Sequence, residues 1–415
     1  MRIIVANYRF FIAGGPERYM FNFMEAAEER GIEVIPFSVK NANNQKTKYS
    51  EYFAEPRANE LYYKDSKKNI RNYIGYFKAV VWNWDAERKL RRLIRDTKPD
   101  AIYILHEINH LSPSIIRAAK KENLRVVHRI SDFFMFCPRY DFLCNGEVCQ
   151  SCLSGRYSNA FTNRCVKGSF WATLLRVFAM KIYSYNKVFE DVDQYVCTCN
   201  FSKNILIKGG IKEDKISVVP TFIDSEKIQP KYTNKKYFLI LGRIAKQKGT
   251  LIAIKAFKRV HAYGYKLVIT GEINQSEDQQ EILKYIDDNK LKDSIIFTGF
   301  VRGKKLSDII SNSTCVLCPS IWYENLPNSV IESFAYGKPV IASRLGSLAE
   351  IIDDGETGYL FTAKNDEELA DRMLCFIKHP EISSEMGKRA RRKCMNIYNK
   401  DQHMSKIIHL LKGEN

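Results

Sequence analysis

Short apolar runs alternate with amphipathic stretches along almost the whole chain. Ile3–Ala6, Val34–Phe37, Ala101–Leu105, Val126–Ile130, Gln194–Thr198 and Ile216–Val219 read as strands buried on both faces. Between them, Pro16–Arg30, Trp84–Asp96, Ser112–Glu122 and Ser202–Lys208 carry helical spacing. The pattern lapses over Thr221–Lys236, which is polar, holds Pro230 and has no period, so a linker is expected there. Alternation then restarts, with strands at Tyr237–Leu241, Lys266–Thr270, Ile295–Thr298, Thr314–Pro319 and from Pro339. The intervening helices are expected near Leu251–Tyr263, Glu281–Asn289 and Leu306–Ser311. Strand–helix alternation at this spacing predicts a parallel, doubly wound α/β sheet on each side of the linker. The expected division is a first domain over 1–222, a linker over 223–236, a second domain over 237–390 and a basic helical segment over 391–415.

Composition narrows the possible partners. A chain of 415 residues is too long for one ordinary core, which agrees with two domains. No run of about 18 uninterrupted apolar residues is present, so a spanning helix is not expected. Met1-Arg-Ile-Ile-Val-Ala-Asn7 reads as a strand and not as a leader, which predicts a cytoplasmic protein. The formal net charge of +18 calls for something negative: nucleic acid, anionic lipid or phosphorylated small molecules. No helix-turn-helix, zinc-finger or RNA-binding signature accompanies it, so nucleic acid is not expected. Lys167–Lys187 sets Phe170, Trp171, Leu174, Leu175, Phe178 and Met180 among Lys167, Arg176, Lys181 and Lys187. It reads either as a helix facing an anionic membrane, which implies peripheral attachment to the inner face of the cell membrane, or as a core-facing helix with solvated lysines.

Eleven cysteines in a chain expected in the cytoplasm argue against a disulfide framework. Cys144, Cys149, Cys152 and Cys165 cluster in an insertion of about 136–167, with Cys137 just upstream. The Cys149-Gln-Ser-Cys152 spacing suits a structural zinc ion. Reduced, packed thiols are the default reading.

The densest chemistry lies in Ser320-Ile-Trp-Tyr-Glu-Asn-Leu-Pro-Asn-Ser-Val-Ile-Glu-Ser-Phe-Ala-Tyr-Gly-Lys-Pro-Val-Ile-Ala-Ser343. A buried strand ends at Pro319-Ser320, a polar loop follows, and a helix opens at Pro327 and stops at Gly337. Free N–H groups at such a helix start, on the carboxyl edge of a parallel sheet, bind phosphate. Glu324 and Glu332 flank that start and suit sugar hydroxyls, which pair with carboxylates as phosphate does not. Glu, seven residues, Glu, with Asn-Leu-Pro-Asn between, resembles the donor-site motif of retaining glycosyltransferases of the GT-B fold, family 4.

The resemblance covers nearly the whole chain and is densest from 238 to 361. It implies two Rossmann-like domains facing each other across a cleft, with the last helix bracing the first domain. Leu241-Gly-Arg-Ile-Ala-Lys-Gln-Lys-Gly249 is similar to the family's diphosphate clamp, with Arg243 and Lys248 as the cations and Gly242 at the turn. Fixed cations there would lower the barrier as charge grows on a departing nucleoside diphosphate. Gly14 and Gly15 match a glycine-rich loop that meets the donor phosphate. Leu326, Pro327, Asn328 and Ser329 would supply backbone to the donor, Glu332 would hold the ribose, and Glu324 the transferred sugar. His106 would lie near sugar and acceptor. At Arg129-Ile-Ser-Asp-Phe-Phe-Met-Phe-Cys-Pro138, Asp132 falls on the family's Asp, but Ser131 stands where relatives have His. Gly271-Glu272 closes a strand, Gly299-Phe300-Val301 matches the base-contacting turn, and Gly355–Phe361 completes the likeness. Asp191-Val-Asp193 mimics the metal-binding pair of the other glycosyltransferase fold, but it reads as structural.

Taken together, the resemblance implies transfer of one sugar from a UDP- or GDP-sugar to a lipid-linked or oligosaccharide acceptor, with retention and without a catalytic metal or other cofactor. Such a reaction belongs to polysaccharide or surface-glycan synthesis. Acceptor choice is expected in 40–80 and 136–190. A nucleotide-sugar epimerase of the same fold, or an inactive sugar-binding relative, would share most of these features.

Overall fold

The structure, a computed structural model, describes residues 1–56, 81–108, 110–273 and 276–414. The part of the expected acceptor-choosing region at 57–80 lies outside the described residues. The chain divides into two compact units, one of Met1–Asn145, Cys149–Val219 and Asp401–Asn415, the other of Gly146–Val148 and Pro220–Lys400.

In the first unit the strands are β1 (Arg2–Asn7), β2 (Glu33–Phe37), β3 (Ala101–His106) and β4 (Arg125–Arg129). Next in sequence come β5 (Leu143–Cys144) in this unit and β6 (Glu147–Val148) in the short stretch that groups with the other, before β7 (Gln194–Cys197) and β8 (Ile216–Val218) of this unit. The sheet runs β2-β1-β3-β4-β7-β8, and every neighbouring pair is parallel. Its inner strands read as unbroken apolar runs because helices cover both faces; Ile3, Ile4, Ile102 and Ile104 have no exposed surface.

The second unit repeats the plan with β9 (Tyr237–Ile240), β10 (Lys266–Thr270), β11 (Ile295–Gly299), β12 (Cys315–Cys318), β13 (Val340–Ser343) and β14 (Gly358–Phe361). Its order is β11-β10-β9-β12-β13-β14, again wholly parallel. Two doubly wound α/β sheets are therefore present, as the alternation predicts. One apolar cluster lies on each face of this sheet, built around Phe257 and Phe376 on one side and Phe334 and Val330 on the other.

The last segment departs from the expected boundaries. The basic helical segment is made of two helices, Pro380–Ile397 and Lys400–Lys412. The first stays with the second unit, where buried Arg391 donates to the carbonyl of Ser225 at 2.6 Å and to that of Ala335. Ile223 N–H donates to the carbonyl of Tyr398, tying down the chain where the helix ends. Only from Asp401 does the chain group with the first unit, later than the expected 391. There His403 Nε2 lies 2.9 Å from Tyr19 Oη, and Arg125 Nε donates to the carbonyl of Leu410 at 2.7 Å.

Candidate functional site

Each sheet reverses its winding direction once, and the residues singled out in the sequence gather at these two points. In the second unit β9 and β12 are neighbours although β10 and β11 separate them in sequence. Loops leaving the carboxyl ends of such strands border a ligand-binding crevice. These loops are Leu241–Gly249 and Pro319–Pro327, joined by a hydrogen bond from Ile321 N–H to the carbonyl of Gln247 at 3.0 Å. Gly249 permits the approach: its φ is +70°, and a Cβ there would stand 1.8 Å from the carbonyl oxygen of Pro319.

Across the loops Lys248 Nζ lies 2.7 Å from Oε1 of Glu324, whose side chain is 8% exposed. Two further donors end on the same oxygen, Ser320 Oγ at 2.7 Å and Trp322 Nε1 at 2.8 Å. Among the described residues no donor reaches Oε2. The Glu324 backbone is held as well, its carbonyl accepting from Ser347 Oγ at 2.7 Å. Burial would raise the carboxyl pKa, but the Lys248 charge and the three hydrogen bonds outweigh it and hold the group ionised, below its ordinary range. The Lys248 ammonium also sits 5.4 Å from the Trp322 ring centre. Ser320 and Trp322 were missed as functional residues. The available signal was their closeness in sequence to Glu324, two and four residues before it in the loop that follows β12.

The remaining residues of this group lie on the same loops and on the helix that follows them. Arg243 is exposed on the same loop as Lys248 and, among the described residues, has no ion-pair or hydrogen-bond partner. Gly242 N–H donates to Thr270 Oγ1 at 3.3 Å, and a Cβ on Gly271 would come within 2.4 Å of the Gly242 carbonyl oxygen. Leu326 and Pro327 are buried, and the helix runs Asn328–Ala335 with Pro327 as a cap that lends no side-chain acceptor to its first N–H groups. Ser329 is the second residue of that helix, and Glu332 is half-buried within it.

The first unit's reversal lies between β1 and β3. Gly14 caps the helix Gly15–Glu28 that follows β1, and His106 is the last residue of β3. His106 Nε2 is 2.9 Å from Oδ2 of Asp132, and its buried Nδ1 has no partner among the described residues. Burial opposes a charge on His106, yet Asp132, Glu107 and Glu17 together raise its pKa. Arg9, Glu17 and His110 surround the site without having been singled out: Arg9 lies 3.7 Å from buried Glu17, and His110 stacks on Tyr8. Burial, then Arg9 and His106, push His110 down to about 4. Ser131 does not take up the missing histidine's place as a free hydroxyl; it donates to the carbonyl of Leu105 at 2.6 Å and accepts from Arg129 at 3.1 Å. His128 is buried beneath, 3.0 Å from Glu107.

The cysteines had two readings, a zinc site and packed thiols. All eleven are free. Cys165 is hydrogen-bonded to Cys144, Cys149 lies 3.4 Å from Ser151 Oγ, and Cys152 packs with Ala160 and Val177. Among the described residues no three His, Cys, Asp or Glu side chains are placed to hold a metal ion, although Cys144 lies close enough to Cys165 and Cys152 to interact with both. Burial pushes the Cys152 thiol up to about 11 and, with Cys144 adding to it, Cys165 up to about 12. Packed thiols describe this insertion better. Asp191 and Asp193 are spent on Arg117 and Lys120, in accord with a structural role.

Residues 13–227, just over half of the chain, match the model of Glycosyltransferase Family 4, and residues 222–393 match Glycosyl transferases group 1. The chain belongs to glycosyltransferase family 4. This glycosyltransferase-family chain is 25% identical over 239 residues to an uncharacterised glycosyltransferase of Methanocaldococcus jannaschii, covering 54% of its own length and 61% of that relative. An uncharacterised 41.2 kDa protein in the cps region of Klebsiella pneumoniae is 24% identical over 315 residues, 72% of this chain and 82% of that one. In fold, the family member is similar to Anabaena HepE, solved in complex with UDP and glucose. The TM-score is 0.67 at 14% identity, over 99% of both chains.

Proposed function

We propose that the chain transfers one sugar from a nucleotide-sugar donor, a UDP- or GDP-sugar, to a lipid-linked glycan acceptor, with retention at the anomeric carbon. The work would be in surface-polysaccharide assembly at the inner face of the cell membrane. The observation that carries the reading is the arrangement around Glu324. Three donors saturate Oε1 and fix the carboxylate in its ionised form, while Oε2 is left to accept from a ligand. An ionised, immobile acceptor suits sugar hydroxyls. Family membership and the UDP held by Anabaena HepE supply the donor class.

In this reading the diphosphate meets the N–H groups over 326–328 and Glu332 receives the ribose, while Gly14 and Gly15 form a phosphate-facing loop of the first unit. Arg243 and Lys248 balance the negative charge that grows on the leaving diphosphate, so positive charge comes from side chains. No carboxylate is assigned as a covalent nucleophile. The acceptor oxygen attacks on the face the diphosphate leaves, its proton passing to a phosphate oxygen. His106 and Asp132 belong to the sugar and acceptor side.

The test is incubation with labelled nucleotide sugars and a membrane lipid extract. Label should enter the lipid fraction, and Arg243→Ala should abolish it. Turnover of the nucleotide sugar without any acceptor would instead identify an epimerase. The anomeric proton coupling of the product reads stereochemistry, and inversion would recast His106 as a general base.

A further inference from the structure

We propose that the helix Phe170–Tyr185 is a membrane-docking element that inserts a stripe of side chains among anionic lipid headgroups. The proposal deepens the reading of a lipid-linked acceptor and rests on it only for its purpose, not for its physics. The helix is tied down from one side: Val177 packs with Cys152 and Ala160, while Ala179 and Tyr183 pack with Phe134 and Ile108. Ser169 caps its start by accepting from Ala172 N–H at 3.3 Å. The opposite side carries Trp171, Leu174, Phe178 and Tyr185, spaced so that they fall on one face. Trp171 is 74% exposed, Phe178 49% and Tyr185 89%. Scattered surface hydrophobes are ordinary, but a continuous aromatic stripe on a well-anchored helix marks an interaction surface.

Charge selects the occupant. From Val148 to Phe189 the sequence holds no Asp or Glu, yet it holds Arg156, Arg164, Lys167, Arg176, Lys181 and Lys187. Of these Arg176 is buried, and the other five are exposed. Glu190, just past the helix, lies 3.8 Å from Lys187, but the balance stays positive, and such an apolar stripe in a chain of net charge +18 is complementary to a bilayer bearing negative headgroups. Among the described residues no helix is long and apolar enough to cross a membrane, so the contact is one of surface insertion.

The full chain should be sedimented with phosphatidylcholine vesicles with and without phosphatidylglycerol. Binding is expected to need phosphatidylglycerol and to weaken with salt. Trp171→Ser with Phe178→Ser, and separately Lys181→Glu with Lys187→Glu, should each lower partitioning roughly ten-fold or more. The thermal midpoint should stay close to wild type for the aromatic variant, whose side chains lie outward, and fall only slightly for the lysine variant, which gives up the exposed Lys187–Glu190 pair and the Lys181 bond to the Gly155 carbonyl. Failure of the wild type to bind, or equal binding by both variants, overturns the proposal. So does a wild-type dimer that the aromatic variant converts to monomer without loss of vesicle binding, which would assign the stripe to a second copy. Thermal stabilisation by nucleotide sugars reads the donor site separately, so loss of vesicle binding with that response intact sinks only the docking.

Discussion

Lys248 and Glu324 are 76 residues apart in sequence, yet Nζ of one lies 2.7 Å from Oε1 of the other. The contact exists because β9 and β12 are sheet neighbours. Removing the ammonium leaves a buried carboxylate with two neutral donors. Lys248→Ala should therefore cost about 2–3 kcal/mol, somewhat less than a fully buried pair, since the lysine keeps partial access to water. Adding Glu324→Gln to that variant should recover part of the loss, because the stranded charge is gone. Denaturant unfolding of the two single variants and the double variant gives the coupling; strictly additive losses would show that the pair is not coupled.

The same carboxylate makes stability fall with acid. Its folded pKa is depressed below 4.5, so its contribution is complete above about that pH and fades as pH drops through the folded value. Other paired acids titrate in the same region, so the comparison that isolates this group is wild type against Glu324→Gln. The gap in thermal midpoint between them should be constant from neutral pH down to the ordinary carboxylate range. Below it the gap should close. A gap that stays open at acid pH would mean that Glu324 is not held by its charge.

Arg243 is the reverse case, a cation with no described partner to lose. Substitution to Ala should change stability by no more than about 0.5 kcal/mol, as expected for a surface position. If its guanidinium meets the leaving diphosphate, sugar transfer should fall by roughly 100- to 1,000-fold. Steady-state rates with saturating nucleotide sugar, alongside thermal unfolding, separate the two. Unchanged transfer would remove Arg243 from the chemistry.

Much of this was readable before any coordinates, and the reason is physical. A strand buried on both faces must be apolar throughout, so β1, β3, β9 and β12 announce themselves, with ends misplaced by only a residue or two. The insertion was opaque because β5, β6 and the helix Ser158–Thr162 are too short to show a period. The break at Tyr398 was invisible for another reason. No glycine or proline marks it, and the hydrogen bond from Ile223 there is a tertiary one. In the site, residue types revealed Lys248, Glu324 and His106, since cations and carboxylates at strand ends have few other uses. The pairing of Glu107 with His128 could not be read, because it depends on the register that sets Ile104 beside His128 across β3 and β4.

His106 and Asp132 offer the cleanest titration. Burial by itself would drive the imidazole toward its neutral form, and the neighbouring carboxylates, Asp132 foremost, reverse that and raise its pKa. Asp132→Asn removes the direct partner while Glu107 and Glu17 remain, so the His106 pKa should fall. In the wild type the raised histidine contributes stability that is complete below its unfolded value and lost as pH rises through the folded one. The Asn variant should therefore lose most stability in mildly acid solution and approach wild type at alkaline pH. Side-chain proton resonances of His106, followed from pH 5 to 9 in both proteins, report the shift directly. An imidazole that titrates alike in both would place Asp132 outside its electrostatic environment, and with it the idea that the pair acts as a unit at the edge of the first sheet.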